Sequence, residues 1–373
     1  MSRTRADVAF FLATSGHSGV DRVMTNLIGE FSRRGIRVDL LHVNDHGPYL
    51  DPIPEHAQVV ELGTRHVNSS LFTLARYLRR ERPVALLSDK DKVNRTALWA
   101  RAISRAPTRV VVRMGTTVSK NLERRGALHR WLQLASIRRF YRWADGIIVP
   151  SAGAADDLAA VSGLPRARIS AVPSPVITTR IRTLAGEEPD HPWLLDQDRP
   201  VILGVGELCA RKDFDTLIRA FATVRRSRQA RLIILGEGRR RETLTGLIHE
   251  LGLEEDIDLP GFKTNPYAYM ARANAFALSS TCEGAPVVLM EALALGTPCV
   301  STDCPSGPDE ILAAGRYGPL VPVGDAEALG EALLSVLKSP LPAGELREGA
   351  QRYGVESSAT EYLRVLGLAN AES

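Results

Sequence analysis

The sequence of 373 residues contains no apolar run approaching the roughly 20 residues that cross a bilayer, so it predicts no membrane-spanning helix. Cysteine is scarce. Its four copies, Cys209, Cys282, Cys299 and Cys304, all fall in the second half without a paired CxxC spacing, which excludes a disulfide framework and a cysteine zinc site. A reduced, cytoplasmic protein is the expectation. Internal repeats and low-complexity tracts are also missing. The first residues put charge ahead of an apolar stretch, as a signal peptide does. That stretch is only about six residues long and runs into a glycine turn, so it reads as a first buried strand.

The rest of the composition is that of a globular protein, 44% hydrophobic and 24% charged, on a chain long enough for two cores. The net charge of +4 hides an asymmetry: between Arg101 and Arg142 eleven Lys and Arg stand against a single acid, Glu123. One segment of the first half therefore carries the basicity, and the remainder is net acidic.

Short runs rich in Val, Ile and Leu alternate with amphipathic stretches along the whole chain. In the first half these runs are Val8–Ala13, Ile36–Val43, Val59–Leu62, Val84–Ser88, Arg109–Met114, Gly146–Val149 and Ile169–Val172. In the second half they are Val201–Val205, Arg231–Leu235, Ile257–Leu259, Ala275–Ser279, Pro298–Ser301 and Pro319–Val321. Continuous apolar runs between helical patterns indicate parallel strands covered on both faces. The pattern occurs twice, which predicts an α/β protein of two doubly wound, Rossmann-like units with ligands outside the carboxyl ends of the strands. The expected divisions are residues 1–177, a linker over 178–199 with weak periodicity, a second unit over 200–355 and a final helix in 356–373 that returns to the first unit.

The segment Ser279–Gly296, SSTCEGAPVVLMEALALG, carries the most chemistry. A strand ends, a turn holds Glu283, Gly284, Ala285 and Pro286, and a helix begins near Val287 and carries Glu291. The first amides of such a helix can hold an anion, which would then lie between two carboxylates. Two Glu eight apart are common by chance, and by spacing alone the pair reads first as a solvated turn followed by a helix face.

With its neighbours, this segment resembles the E-x7-E motif of the family 4 retaining glycosyltransferases. ARKDFDTLIRAFATV, RLIILGEGRRRETL, the stretch LGLEEDIDLPGFKTNPYAYMARANAFALSS, ALGTPCVSTDCPSGPDEIL and GPLVPVGD are similar to the same family, as is SGHSGVDRVMTNLIGEFSRRGIRVDLL in the first half. The resemblance implies a GT-B fold, with two units facing a central cleft. It implies transfer of a sugar from a nucleoside diphosphate, UDP by family default, to a hydroxyl of a glycan or lipid-linked acceptor, without metal or cofactor. The enzyme would be a hexosyl- or N-acetylhexosaminyltransferase of polysaccharide or glycoconjugate assembly. A 2-epimerase of the same fold and a silent nucleotide-sugar-binding scaffold are the rivals.

Carried over by position, Glu283 would lie near the anomeric centre, and Lys212 with Arg211 would neutralise the leaving diphosphate. Glu291 would bind the ribose, and Gly19 would let backbone approach phosphate or acceptor. Gly261, Phe262 and Lys263 would read the base. The turn Gly284–Val287 would meet the donor. On the acceptor side stand His17, Asp89, Asn94 and Arg113. Two positions depart from the family pattern: Glu207 where relatives carry Arg, and Gly115 where they often carry His.

Asp89-Lys90-Asp91 is also a literal D-x-D, a spacing that can share a metal; a wall of the acceptor side is the alternative taken. His17 could touch acceptor or phosphate but reads first as a solvated loop residue, and Cys282, with no paired His, reads as a small residue packed behind the turn. Leu122–Trp143 mixes six Arg with aromatic and aliphatic residues and predicts a helix suited to an anionic membrane. The competing reading packs Trp131, Leu134 and Phe140 on the sheet with the arginines solvated. No nucleic-acid motif accompanies the charge. The sequence thus predicts a cytoplasmic enzyme, peripheral at the inner face of the plasma membrane.

Overall fold

The computed structural model describes residues 5–16, 18–123, 126–196 and 198–368. They form two compact units, Met1–Val176 with Tyr353–Ser373, and Ile177–Arg352.

The first unit runs β1 (Val8–Phe11), α1 (Gly19–Arg33), β2 (Val38–His42), β3 (Ala57–Glu61), α2 (Leu71–Glu81), β4 (Ala85–Asp89), α3 (Asp91–Ser104), β5 (Arg109–Arg113), α4 (Val118–Glu123), α5 (Ala127–Phe140), β6 (Gly146–Val149), α6 (Ala152–Ser162) and β7 (Ile169–Ala171). The strands make one sheet in the order β3-β2-β1-β4-β5-β6-β7, parallel at every pairing. Helices on both faces explain the apolar runs: β1 and the first four residues of β2 are buried throughout. Helix α1 starts on a capping box, Ser18 with Asp21, and stops at Arg33-Arg34-Gly35.

The second unit opens with two short helices, α7 (Thr179–Ala185) and α8 (Pro192–Leu195). It continues β8 (Val201–Val205), α9 (Phe214–Ser227), β9 (Arg231–Leu235), α10 (Arg241–Glu250), β10 (Ile257–Gly261), α11 (Pro266–Arg272), β11 (Ala275–Leu278), α12 (Val287–Leu295), β12 (Cys299–Thr302), α13 (Pro308–Ile311), β13 (Leu320–Val321), α14 (Ala326–Lys338) and α15 (Ala343–Ala350). Its sheet has the order β10-β9-β8-β11-β12-β13, again all parallel. The last helix, α16 (Val355–Leu366), packs against α1, β5 and β6 of the first unit.

Residues 178–199, expected as a linker of weak periodicity, carry two short helices. Helix α7 packs on α11, where Asn265 Nδ2 donates to the Leu184 carbonyl at 2.9 Å and Arg272 Nη1 to that of Glu187 at 2.6 Å. Seven and four residues are too few for a helical period to show in sequence, so tertiary contacts order this segment.

Candidate active site

In each sheet the strand order reverses beside the first strand of the unit, between β1 and β4 and between β8 and β11. Loops leaving the carboxyl ends of strands at such a reversal diverge and leave room for a ligand. Of the residues singled out in the sequence, Arg211, Lys212 and Glu283 lie on such loops, Gly19 opens the helix after β1 and Asp89 ends β4, while Arg113, Gly261 and Glu291 lie on β5, β10 and α12.

In the second unit, loops after β8, β11 and β12 are stitched together by backbone. Thr281 N–H donates to the Arg211 carbonyl at 2.8 Å, Glu283 N–H to that of Pro305 at 3.0 Å, and Ser306 N–H to that of Glu283 at 3.0 Å. Ser279 Oγ donates to the Lys212 carbonyl at 2.8 Å, and Thr302 Oγ1 to that of Ser280 at 2.6 Å. This framework holds one carboxylate oxygen against three donors: Glu283 Oε1 accepts from Arg211 Nη1 at 2.7 Å and from Lys212 Nζ and Ser280 Oγ at 2.8 Å each. Burial pushes the Glu283 carboxyl up, but the Lys212 and Arg211 charges outweigh it and hold it below the usual carboxylate range. Two cations against one carboxylate leave a net positive site. The Lys212 and Glu283 side chains are each 9% exposed, so the charges act in a medium less screening than water.

Two glycines make this packing possible. At Gly236, φ is +143° and a Cβ would fall 1.9 Å from the Gly206 carbonyl, so the turns after β8 and β9 could not approach each other with a side chain present. At Gly307, φ is +103° and a Cβ would stand 3.0 Å from the backbone of the Gly284-Ala285 turn. Helix α12 begins directly after that turn with Pro286 at its N-cap and no side-chain cap, leaving its first amides to an anion.

Glu291, the fifth residue of α12, is 1% exposed and accepts from Tyr267 Oη at 3.2 Å. Gly261 ends β10, Phe262 is exposed, and Lys263 is tied to Asp190 at 2.6 Å. Glu207 is exposed at the end of β8. All four cysteines are free, and burial pushes the Cys304 thiol up to about 12.

In the first unit Gly19 is the first residue of α1, in a loop fixed by hydrogen bonds from Thr14 Oγ1 and Ser18 N–H to the Asp21 carboxylate. His17 lies outside the described residues. Asp89, Asn94 and Arg113, expected on the acceptor side, form a buried network: they are 1%, 0% and 3% exposed. Arg113 Nη1 pairs with Asp89 at 3.2 Å and Nε donates to Tyr362 Oη on α16 at 2.9 Å. Asn94 Nδ2 donates to the Arg113 carbonyl at 2.8 Å and to Tyr141 Oη at 3.0 Å. Asp91 turns to Arg95 at 3.3 Å, so the two carboxylates of the D-x-D bind different cations. A Cβ on Gly115 would stand 2.9 Å from the Arg113 guanidinium, so a side chain there would have to displace that group from its pairing with Asp89.

The basic segment divides its apolar side chains between solvent and core. Over α5, Leu128, Trp131 and Leu132 are 71%, 65% and 52% exposed, and Arg130, Arg138 and Arg139 are exposed too. Leu134, Phe140 and Trp143 pack against the core instead. Among the described residues no helix is long and apolar enough to cross a membrane.

Ser280, Tyr267, Gly236, Gly307 and Tyr362 were not singled out from sequence. The GEG and SGPDE stretches that hold the two glycines were visible there; the two tyrosines carried no signal.

Two parallel sheets with reversals of this kind, and a cationic clamp beside an open helix N-terminus, are the architecture of a GT-B glycosyltransferase. Solved structures agree on the fold. The lipopolysaccharide outer core galactosyltransferase WaaB in its apo form superposes with a TM-score of 0.73 at 19% identity, over 96% of this chain and 99% of that one. The Anabaena protein HepE in complex with UDP and glucose gives 0.79 at 18% identity, over 96% and 99%. In sequence, the family described as "Glycosyl transferases group 1" matches residues 187–356, and "Glycosyl transferase 4-like domain" matches 18–175. The N-acetylgalactosamine-N,N'-diacetylbacillosaminyl-diphospho-undecaprenol 4-alpha-N-acetylgalactosaminyltransferase of Campylobacter jejuni is 30% identical over 341 residues, 89% of this chain and 90% of that protein. The chain belongs to the family 4 glycosyltransferases of GT-B fold.

Proposed function

We propose that this glycosyltransferase moves a hexose or N-acetylhexosamine from UDP to a hydroxyl of a glycan or lipid-linked acceptor, with retention and without metal. The observation that carries the reading is the Glu283 carboxylate held by Arg211 and Lys212 at 2.7 and 2.8 Å beside the uncapped start of α12. Fixed cations stabilise the charge that develops on a departing diphosphate, the role a divalent ion fills in other sites. In the proposed step the bond from the anomeric carbon to the diphosphate oxygen breaks as the acceptor oxygen attacks the same face. The acceptor proton passes to a phosphate oxygen of the leaving group. Glu283 stabilises the positive charge on the sugar, Glu291 holds the ribose, and backbone at Gly261–Lys263 meets the base. Attack by Glu283 itself, in a double displacement, is the alternative route.

A UDP donor is supported by the UDP-bound relative of like fold, and a lipid-linked acceptor in glycoconjugate or polysaccharide assembly by the Campylobacter jejuni relative's name. A cytoplasmic, peripheral position at an anionic membrane is supported by the exposed Leu128, Trp131 and Leu132 among arginines on α5.

The reading is tested by titrating UDP-, GDP- and ADP-sugars against the full chain in EDTA and following slow donor hydrolysis. Release of UDP and free sugar is expected. A requirement for added metal would remove the metal-free claim, and an epimerised nucleotide-sugar would assign the chain to the 2-epimerases instead. Donor binding without any turnover, even when lipid-linked acceptors are supplied, would make it a silent scaffold.

A further inference from the structure

We propose that a pocket between α2, α3 and α5 of the first unit binds the phosphate of an anionic membrane lipid, with the lipid's apolar part lying along Trp99 and Ile103. The inference rests on the membrane part of the reading above and names the site and the headgroup chemistry. The pocket has a volume of about 290 Å³ and is lined by Asn68, Lys92, Arg95, Thr96, Trp99 and Phe140, among others. None of these residues belongs to the donor or acceptor sets already described.

Helix α3 gives the pocket its polarity. Lys92, Arg95, Thr96, Trp99 and Ile103 recur at the spacing of one helical face. Its amino-terminal half brings two cations and a hydroxyl. Its carboxyl-terminal half leaves Trp99 and Ile103 at 42% and 45% exposure. Phe72, at 72% exposure on the neighbouring α2, adds apolar surface. The wall is rigid: the rings of Trp99, Phe140 and Trp143 meet in tilted and edge-on contacts at 5.1 to 5.4 Å, and Arg139 lies 5.1 Å over Trp143.

Arg95 is incompletely satisfied. Its Nη2 pairs with Asp91 Oδ2 at 3.3 Å, and burial pushes that carboxyl up from its usual range, so it is a weak counter-ion. Its Nε is buried and donates to no acceptor among the described residues. The rest of the side chain, 37% exposed and lining the pocket, can donate to a phosphate oxygen there. A free inorganic phosphate has no use for the adjoining tryptophan and isoleucine, and neither does nucleic acid for an exposed aliphatic stripe. A lipid phosphate with its chain satisfies both halves of the face.

The test uses the full chain and co-sedimentation with vesicles of phosphatidylcholine alone or with phosphatidic acid or phosphatidylglycerol added at equal surface charge. Phosphatidic acid exposes a phosphomonoester small enough to enter the pocket. Retention several-fold stronger on phosphatidic acid than on phosphatidylglycerol is expected, with the preference lost in Arg95→Gln and in Lys92→Gln, the latter at an exposed position that folding tolerates. Trp131→Ala should weaken retention on both anionic vesicles and leave the preference intact. Equal retention on the two anionic vesicles, or a preference that survives both cation variants, would overturn the pocket while leaving membrane docking in place. Absence of wild-type retention on any anionic vesicle would overturn both. If inorganic phosphate changed the tryptophan fluorescence as fully as phosphatidic acid vesicles do, the pocket would belong to a free anion and the lipid assignment would fall.

Discussion

Glu283 is the residue through which the site is organised, because three donors converge on one of its oxygens. Replacing Lys212 by Ala removes the fixed cation to which the proposed mechanism gives the departing diphosphate, and a loss on the order of 10²-fold or more in turnover is expected. Steady-state hydrolysis of the preferred donor measures it. Glu283→Gln keeps the shape but removes the charge. The Glu283 carboxyl is held below its ordinary value of 4.5, so its ionic contribution to stability is present above that pH and disappears as pH falls through the lowered folded value. Thermal melts of wild type and Glu283→Gln should therefore differ at neutral pH and converge on strong acidification. A difference that grew with acid would contradict the assigned charge. E-x7-E was legible in the sequence because both glutamates sit on one strand–turn–helix segment. That Arg211 and Lys212, some seventy residues away in the chain, bind Glu283 directly was not, since it depends on how the β8 and β11 loops meet.

At the scale of elements, the strands could be read to within about two residues at either end, because most are short, largely apolar runs between helical patterns. Helices α7 and α8 could not, being shorter than the window of about eleven residues or more over which a helical period shows. Nor could the network Asp89–Arg113–Tyr362, which brings α16 onto β4 and β5 across almost the whole chain. It converts residues that read as an acceptor wall into a buried tie. Tyr362→Phe removes a hydrogen bond to a charged group and should cost about 1–3 kcal/mol in denaturant unfolding of the first unit. Gly236→Ala tests the other unit: with a Cβ 1.9 Å from the Gly206 carbonyl the two turns must separate. Weaker donor binding by calorimetry and a lower melting temperature are expected together. Unchanged values for both would show that the close approach is not needed.

For the whole molecule, the doubling of the Rossmann-like pattern was visible in the alternation of runs. Which hydrophobic residues of the basic segment face water was not: Trp131 is exposed, while Leu134 and Phe140 pack inward, a division set by how α5 lies on α3 and α6. Leu128→Ser with Trp131→Ser should leave stability within about 0.5 kcal/mol, since both side chains are solvated. The same variant should lower retention on anionic vesicles, read by co-sedimentation. Loss of stability without loss of retention would reverse the assignment of that face.

The central claim is retaining transfer from a UDP-sugar by the Arg211–Lys212–Glu283 site. Proton NMR of the sugar first released during metal-free donor hydrolysis, before mutarotation, tests it most directly. An α-configured sugar from an α-linked UDP donor, abolished by Lys212→Ala and Glu283→Ala, is the expected result. A β-configured first product, or release that persists in both variants, would contradict it.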